Sequence, residues 1–160
     1  MDTAFHKSRG FNLVEMAIVL ALIGILVMAA IPSQVGRVVR GQITETFALA
    51  DVAKEPIAAA WKLTETFPKN NEEAGLPEAT KLVSNYVSRM DVEDGAIHLT
   101  FGNKAHGSIA GQVLSLRPAV VPGEKLVPVA WICGKAEVPL QMTVHGEDRT
   151  NIKSELLPLA

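Results

Sequence analysis

The sequence predicts an α+β chain in which a long amino-terminal helix, membrane-spanning in its first half and amphipathic in its second, packs on a four-stranded antiparallel sheet. Three observations carry the prediction: an apolar run near the amino terminus, a stripe of apolar residues at helical spacing directly after it, and four alternating segments joined by turn formers. The chain divides into a polar start at residues 1–10, an apolar helix at 11–34, its amphipathic continuation at 35–63, and a head at 64–160. The head comprises a loop, the sheet and an irregular carboxyl-terminal region.

The apolar helix comes first. Residues 16–31 are sixteen consecutive apolar or glycine residues, and counting from Phe11 gives twenty-one. As a helix the longer run reaches about 31 Å, enough to cross a bilayer. Lys7 and Arg9 precede it and Arg37 and Arg40 follow it, so the basic residues alone do not separate the two membrane orientations. A cleaved secretory signal has a shorter apolar core. Here "RVVRGQITETFALADVAK" continues a helical pattern straight out of the run, so the run is expected to be retained.

Glu15 is the anomaly within it. A carboxylate deep in a membrane helix costs several kcal/mol, and less within about one turn of the end, where Glu15 lies. Either it is an interfacial residue that lipid tolerates or it answers a cation. Cutting the chain after Gly10 would create such a cation, the amine of Phe11, which a neighbouring subunit shifted along the helix axis can present to Glu15.

Beyond Pro32, the residues Val35, Val39, Ile43, Phe47, Ala50, Ala53, Ile57, Ala60 and Trp61 recur at steps of about three or four, the spacing of one helix face. The opposite face carries Arg37, Arg40, Gln42, Glu45 and Asp51 and reads as solvated, while Pro56 predicts a kink or a break. The segment "PKNNEEAGLPEATKL" is a loop with room for a short helical turn.

Four strand candidates follow: "NYVSRMDVE" with Tyr86, Ser88, Met90 and Val92 on one face, "AIHLTF" with Ile97, Leu99 and Phe101, "QVLSLRP" with Leu114 and Leu116, and "LVPVAWIC" with Val127, Val129, Trp131 and Cys133. Asp94-Gly95 is a hairpin signal between the first two. The sheet's apolar face must pack on the helix stripe, since neither can stay wet. The tail from Gly134 shows little period and should wrap the sheet irregularly.

Gly10, Phe11 and Glu15 before the apolar run, with Pro32 after it, resemble the amino terminus of a short-leader type IV pilin, of the IVa kind. "FPKNNEEAGL", the Asp-Gly hairpin, "WICG" and the closing "LLP" extend the resemblance along the whole chain. It implies that residues 1–10 are a leader removed by a prepilin peptidase, that Phe11 becomes a methylated first residue, and that Glu15 pairs with the amine of an adjacent subunit during assembly. It also implies that Gly24 and Pro32 mark a segment able to lose helical structure in the filament. Asn12 stands where such pilins more commonly carry threonine. The resemblance places the chain in the bacterial inner membrane with its head in the periplasm, then in an extracellular filament of pilin subunits built by inner-membrane assembly machinery. Such a pilus supports adhesion, twitching motility or DNA uptake.

Pilins usually bond the cysteine after the tryptophan to a second one near the carboxyl end. Cys133 is the only cysteine in the 160 residues, so no intrachain disulfide forms. The segment from Gly134 on thus lacks a closure worth roughly 3 to 4 kcal/mol; packing holds it or it is mobile. Cys133 itself reads as a small buried hydrophobe beside Trp131.

Composition excludes more than it suggests. Hydrophobic residues make up 48% and aromatics 5%, and the net charge of -2 gives no general pull toward nucleic acid. Lys104, Lys125, Arg117 and Lys135 can make a small basic patch, but without interleaved aromatics for stacking. His6, His98, His106 and His145 form no short-spaced metal pair, and neither a phosphate loop nor a nucleophile elbow appears. No cofactor, metal or enzyme is therefore expected. The alternatives to a pilus subunit are a minor pilin, a type II secretion pseudopilin, and a competence pilin whose head captures DNA.

Overall fold

The computed structural model describes residues 12–30 and 32–158. Its contacts divide the chain into a unit ending at Arg37 and a second starting at Val38. The first contains helix α1, Leu13–Ala30. Asn12 starts it: its carbonyl accepts the N–H of Met16 at 3.1 Å, and its side-chain oxygen faces the N–H of Val14 at 3.4 Å. Helix α2, Pro32–Thr64, begins with the proline that the first position of a helix tolerates best. It is assigned as one helix through Pro56, so the expected break is absent. The N–H that Pro56 lacks would have met the carbonyl of Val52, whose side chain is exposed, on a side where water can take it.

The second unit is a sheet laid on α2. Strands β1 (Val87–Glu93), β2 (Ala96–Phe101), β3 (Val113–Val120) and β4 (Ala130–Cys133) lie side by side in chain order, all antiparallel. A fifth, β5 (Thr143–Val144), pairs with β3. Ala119 faces both Ala130 and Val144, so β4 and β5 take opposite edges of β3. The four-stranded expectation held for the main sheet and missed this short strand in the tail.

The α2 stripe that enters the core is Val39, Ile43, Thr46, Ala50, Ala53, Ile57 and Trp61. Val35 is exposed, and Thr46 takes a place that periodicity gave to Phe47, which is only part-buried. The Thr46 hydroxyl can be fully buried because it donates to the carbonyl of Ile43 at 2.7 Å. Against the stripe pack Met90, Val92, Ile97, Leu99, Phe101, Leu114 and Leu116, the expected sheet face. The polar flank of α2 is not merely solvated. Arg40 donates to the carbonyl of Glu155 at 2.8 Å, Gln42 accepts the N–H of His106 at 2.8 Å, and Glu45 accepts from Asn85 at 3.2 Å.

Two strands differ from expectation for identifiable reasons. Val87 pairs with Phe101 and Arg89 with Thr100, leaving Ser88 as an extra residue in β1. This bulge brings Val87, in place of Tyr86 and Ser88, onto the core face with Met90 and Val92. The neighbouring Gly102 is required there, because a Cβ on it would lie 2.7 Å from that of Ser88. β4 starts at Ala130 rather than in "LVP", since Pro128 has no N–H for a ladder. Asp94 and Gly95, with φ of 48° and 80°, make the expected tight hairpin. The loop before β1 holds a 3-10 turn at Ala79–Lys81.

The tail is held. Gly146 lies against Ala96 so closely that a Cβ on it would be 2.5 Å from the alanine methyl. Val113 and Asn151 exchange bonds, the backbone N–H of Val113 meeting the asparagine side chain at 2.7 Å and the N–H of Asn151 meeting the carbonyl of Val113 at 3.2 Å. The N–H of Ser115 reaches Thr150 Oγ1 at 3.0 Å, and the N–H of Arg149 reaches Ser115 Oγ at 2.9 Å. Ile152 is buried in the core. Packing and hydrogen bonds thus take the place of the missing cross-link.

Candidate functional site

The residue with the least explanation inside a single chain is Glu15, and its setting is α1. This helix is apolar on all sides: all twelve large apolar side chains from Leu13 to Met28 are at least 40% exposed, Leu13 reaching 88%. Burying side chains of this kind contributes about 1.5–3 kcal/mol each, on the order of 20–35 kcal/mol together, so such a helix demands a cover. A helix apolar all round is buried in protein or in lipid. No described helix is long and apolar enough to cross a membrane. The 18 residues of α1 reach about 27 Å against the roughly 30 Å of a hydrocarbon core. The longer run expected from sequence ends at Phe11 and Ile31, both outside the described residues.

Glu15 lies in the first turn of α1, where the helix dipole favours a carboxylate, and its side chain is exposed. Among the described residues no ion pair includes it. Gly24 lies half a turn out of phase with Glu15 on α1, at about 3.6 residues per turn. A Cβ there would meet nothing within 4 Å, so packing within the chain does not require glycine. Pro32 is the first residue of α2. Gly10 and Phe11 lie outside the described residues, as does the polar start with His6.

Cys133 ends β4 and is part-buried rather than sealed. With Phe47, Lys54, Leu116 and Trp131 it lines an open cavity of about 310 Å³. Lys54 lies over the Phe47 and Trp131 rings, 5.9 and 6.0 Å from their centroids, and pairs with Asp51 at 2.8 Å. Burial, then the charge of Asp148, push the thiol above its ordinary range. The thiol is therefore a poor nucleophile near neutral pH.

The remaining titratable residues are dispersed. His98 is not at the surface: its Nδ1 lies 2.9 Å from Ser115 Oγ, and its buried Nε2 has no partner. Burial, then Arg149, push its pKa down. His106 Nδ1 lies 2.9 Å from Ser108 Oγ. Of the four cations read as a patch, Arg117 donates to the carbonyl of Gly134 at 2.9 Å and Lys125 pairs with Glu65 at 3.4 Å. Sequence reasoning missed the cluster of Trp61, Phe67 and His145, because His145 lies far along the chain from the other two and no period links it to them. Trp61 and Phe67 stack with centroids 4.9 Å apart, and His145 tilts against both.

Helix α1 is apolar and bare of cover, and a four-stranded meander is laid on α2. A model of the family described as Pilin (bacterial filament) matches residues 39–160. This chain belongs to the pilin family. The pilin is 30% identical over 156 residues to the "Type IV major pilin protein PilE1" of Neisseria gonorrhoeae, a match covering 94% of this chain and 84% of the relative. To a "Fimbrial protein" of Neisseria meningitidis serogroup A it is 30% identical over 128 residues, covering 79% of this chain and 73% of the relative. To "Fimbrial protein Q" of Moraxella bovis it is 27% identical over 167 aligned positions, covering 96% of each. The pilin is a structural filament subunit, not an enzyme, and its partners are other pilin subunits in an extracellular filament.

Proposed function

We propose that this pilin is a type IV pilus subunit that is cut after Gly10, methylated at Phe11 and assembled through α1, with Glu15 answered by the Phe11 amine of the next subunit. The observation that carries the reading is a helix bare of cover on every side with a single carboxylate in its first turn. Before assembly, lipid of the inner membrane covers that helix, and prepilin peptidase and the assembly machinery meet it there. In the filament, sibling helices replace lipid, and an acid among them without a cation would be strongly unfavourable. The segment between Gly24 and Pro32 supplies the give that this repacking needs. Two relatives named as major pilin or fimbrial proteins, matched along most of their length, support a bulk subunit rather than a minor pilin or pseudopilin.

Intact mass of the protein from membranes tests the processing: loss of residues 1–10 and gain of one methyl group are expected, and any other first residue refutes it. Glu15→Ala is expected to give a processed, membrane-inserted subunit with sharply reduced filament yield; normal yield would overturn the pairing. Among the pilus roles, adhesion and twitching motility fit the head better than DNA uptake, because Arg117 and Lys125 are engaged within the fold. Glutamate in place of Lys104, Lys125 and Lys135 should then leave DNA retention and its salt dependence unchanged.

A further inference from the structure

His98 is 3% exposed, the most deeply buried titratable side chain among the described residues. Its neighbours Ile97 and Leu99 are in the core, and it lies across from Asp91 of β1 and Ser115 of β3, beneath the tail. Ser115 Oγ serves both sides: it accepts the N–H of Arg149 at 2.9 Å and lies 2.9 Å from His98 Nδ1. Counting partners assigns the proton of the ring. With Nδ1 accepting from the hydroxyl, only the Nε2–H is left without a partner. With Nδ1 donating, the hydroxyl hydrogen and Nε2 are both orphaned. The neutral ring therefore carries its proton on Nε2, and a second proton enters at Nδ1.

The closed site does not accommodate that second proton. Nδ1 stops accepting from Ser115, whose hydroxyl hydrogen loses its acceptor, and the Nε2–H stays unsatisfied. The carboxylates that face the new charge are already committed. From β1, Asp91 is paired with Arg89, and Glu93 with Arg149 at 2.6 Å. From the tail, Glu147 is held by Arg149 at 3.3 Å, Asp148 accepts the N–H of Thr150 at 3.0 Å, and Arg149 itself is a like charge. On β3, Arg117 donates to the carbonyl of Gly134, and on β2 the same-face neighbours Ala96 and Thr100 carry no charge. Burial, then Arg149, push the His98 pKa down in agreement with this geometry.

The element that can yield is a short stretch of the tail between firmer anchors. Upstream, β5 pairs with β3, the N–H of His145 meets the carbonyl of Pro118 at 2.9 Å, and Gly146 packs on Ala96. Downstream, Asn151 exchanges bonds with Val113, and Ile152 is in the core. Between them, residues 147–150 hold to β3 through Ser115 alone, from the Arg149 N–H to its Oγ and from its N–H to Thr150 Oγ1 at 3.0 Å. The exposed Arg149–Glu93 pair adds little. We propose that His98 is an acid-released latch: protonation at Nδ1 lifts residues 147–150 off the sheet as a loop, while both anchors and the helix–sheet core stay in place. Opening gives the ring water and carries the charge of Arg149 away from it. In acid, the sheet face bearing His98 becomes surface.

Hydrogen exchange resolved to single amides, on full-length subunit in detergent micelles and corrected for intrinsic rates, tests the latch. Between about pH 7.5 and about pH 5, an open ring of ordinary pKa favours opening by at most about 30-fold. The amides of Ser115 and Arg149 are expected to open about 5- to 30-fold more often over that range, whereas those of His145 and Asn151 keep their protection. His98→Leu and His98→Gln each remove the titration, and the pH dependence disappears in both. If neither variant folds, the wild-type profile decides: the rise begins near about pH 6.5 and follows the His98 ring signal. A rise confined below about pH 4.5 would assign the release to Glu93 and Glu147 and overturn the proposal. So would unchanged exchange at the two amides, equal loosening across the core, or a pH dependence that survives in either variant.

Discussion

Ser115→Ala tests how the tail is held. Ser115 is fully buried in β3. Its Oγ accepts the backbone N–H of Arg149 at 2.9 Å and lies 2.9 Å from His98 Nδ1. Alanine fits the same space, so the cavity left behind is small and the loss is one of hydrogen bonding. The Arg149 N–H and one imidazole nitrogen are left without partners, each costing about 1–3 kcal/mol when buried. His98 Nε2 already lacks a partner, so the ring has no second bond to fall back on. The two losses together amount to about 2–6 kcal/mol, toward the lower end because the Arg149 N–H is only part-buried. Urea unfolding of the full-length protein in micelles, followed by the fluorescence of Trp61 and Trp131, measures it. In a His98→Leu background the same substitution should cost less by about 1 kcal/mol, because one of the orphaned groups is gone. A loss below about 0.5 kcal/mol, or one of equal size in both backgrounds, would refute the idea that this cluster ties the tail to the sheet.

Acid should weaken the same region. His98 is held neutral, with a folded pKa below its ordinary 6.5, so the unfolded chain binds the extra proton first. Stability is then fully present above about pH 6.5 and falls as the pH drops toward the folded value, with Arg149 opposing the charge and Glu93, Asp91 and Glu147 favouring it. His98→Leu should flatten the melting temperature against pH through that window. Gly146→Ala combines a left-handed φ of 79° with a methyl 2.5 Å from that of Ala96, and is expected to cost about 2–4 kcal/mol. Gly111→Ala, with φ of 75° in open space, isolates the backbone part at about 1–2 kcal/mol; equal losses in the two would show that the contact is soft. Cys133 should react with a disulfide reagent at neutral pH more slowly than free cysteine, as followed by thiolate release, and faster reaction would contradict the burial of its sulfur.

Much of this architecture was written in spacing. The α2 stripe and the Asp94-Gly95 turn follow from local rules: the turn formed where the pattern put it, and the stripe did so at Val39, Ile43, Ala50, Ala53, Ile57 and Trp61. The errors cluster where long-range contacts override the pattern. Thr46 is polar, and only a carbonyl one turn back makes it a core residue. Ser88 looks like any strand residue until the register with Thr100 is known. β5 has two residues, too short for any period, and exists because the β3 edge beyond Ala96 needs a partner. His98 faces away from the helix and is buried nonetheless, under a tail whose course no periodicity foretold. For the candidate assembly site, the composition of α1 and the position of Glu15 were plain in sequence, whereas the cluster of Trp61, Phe67 and His145 was not, since His145 reaches it from the distant tail.

A tail fastened by Asn151, Thr150, Ser115 and Gly146 makes the head indifferent to redox chemistry. It can reach its native form without an oxidant or a disulfide isomerase, and a reductant such as dithiothreitol should leave its melting temperature untouched. Surface positions along that segment are then free to drift in sequence, provided that these few anchors stay.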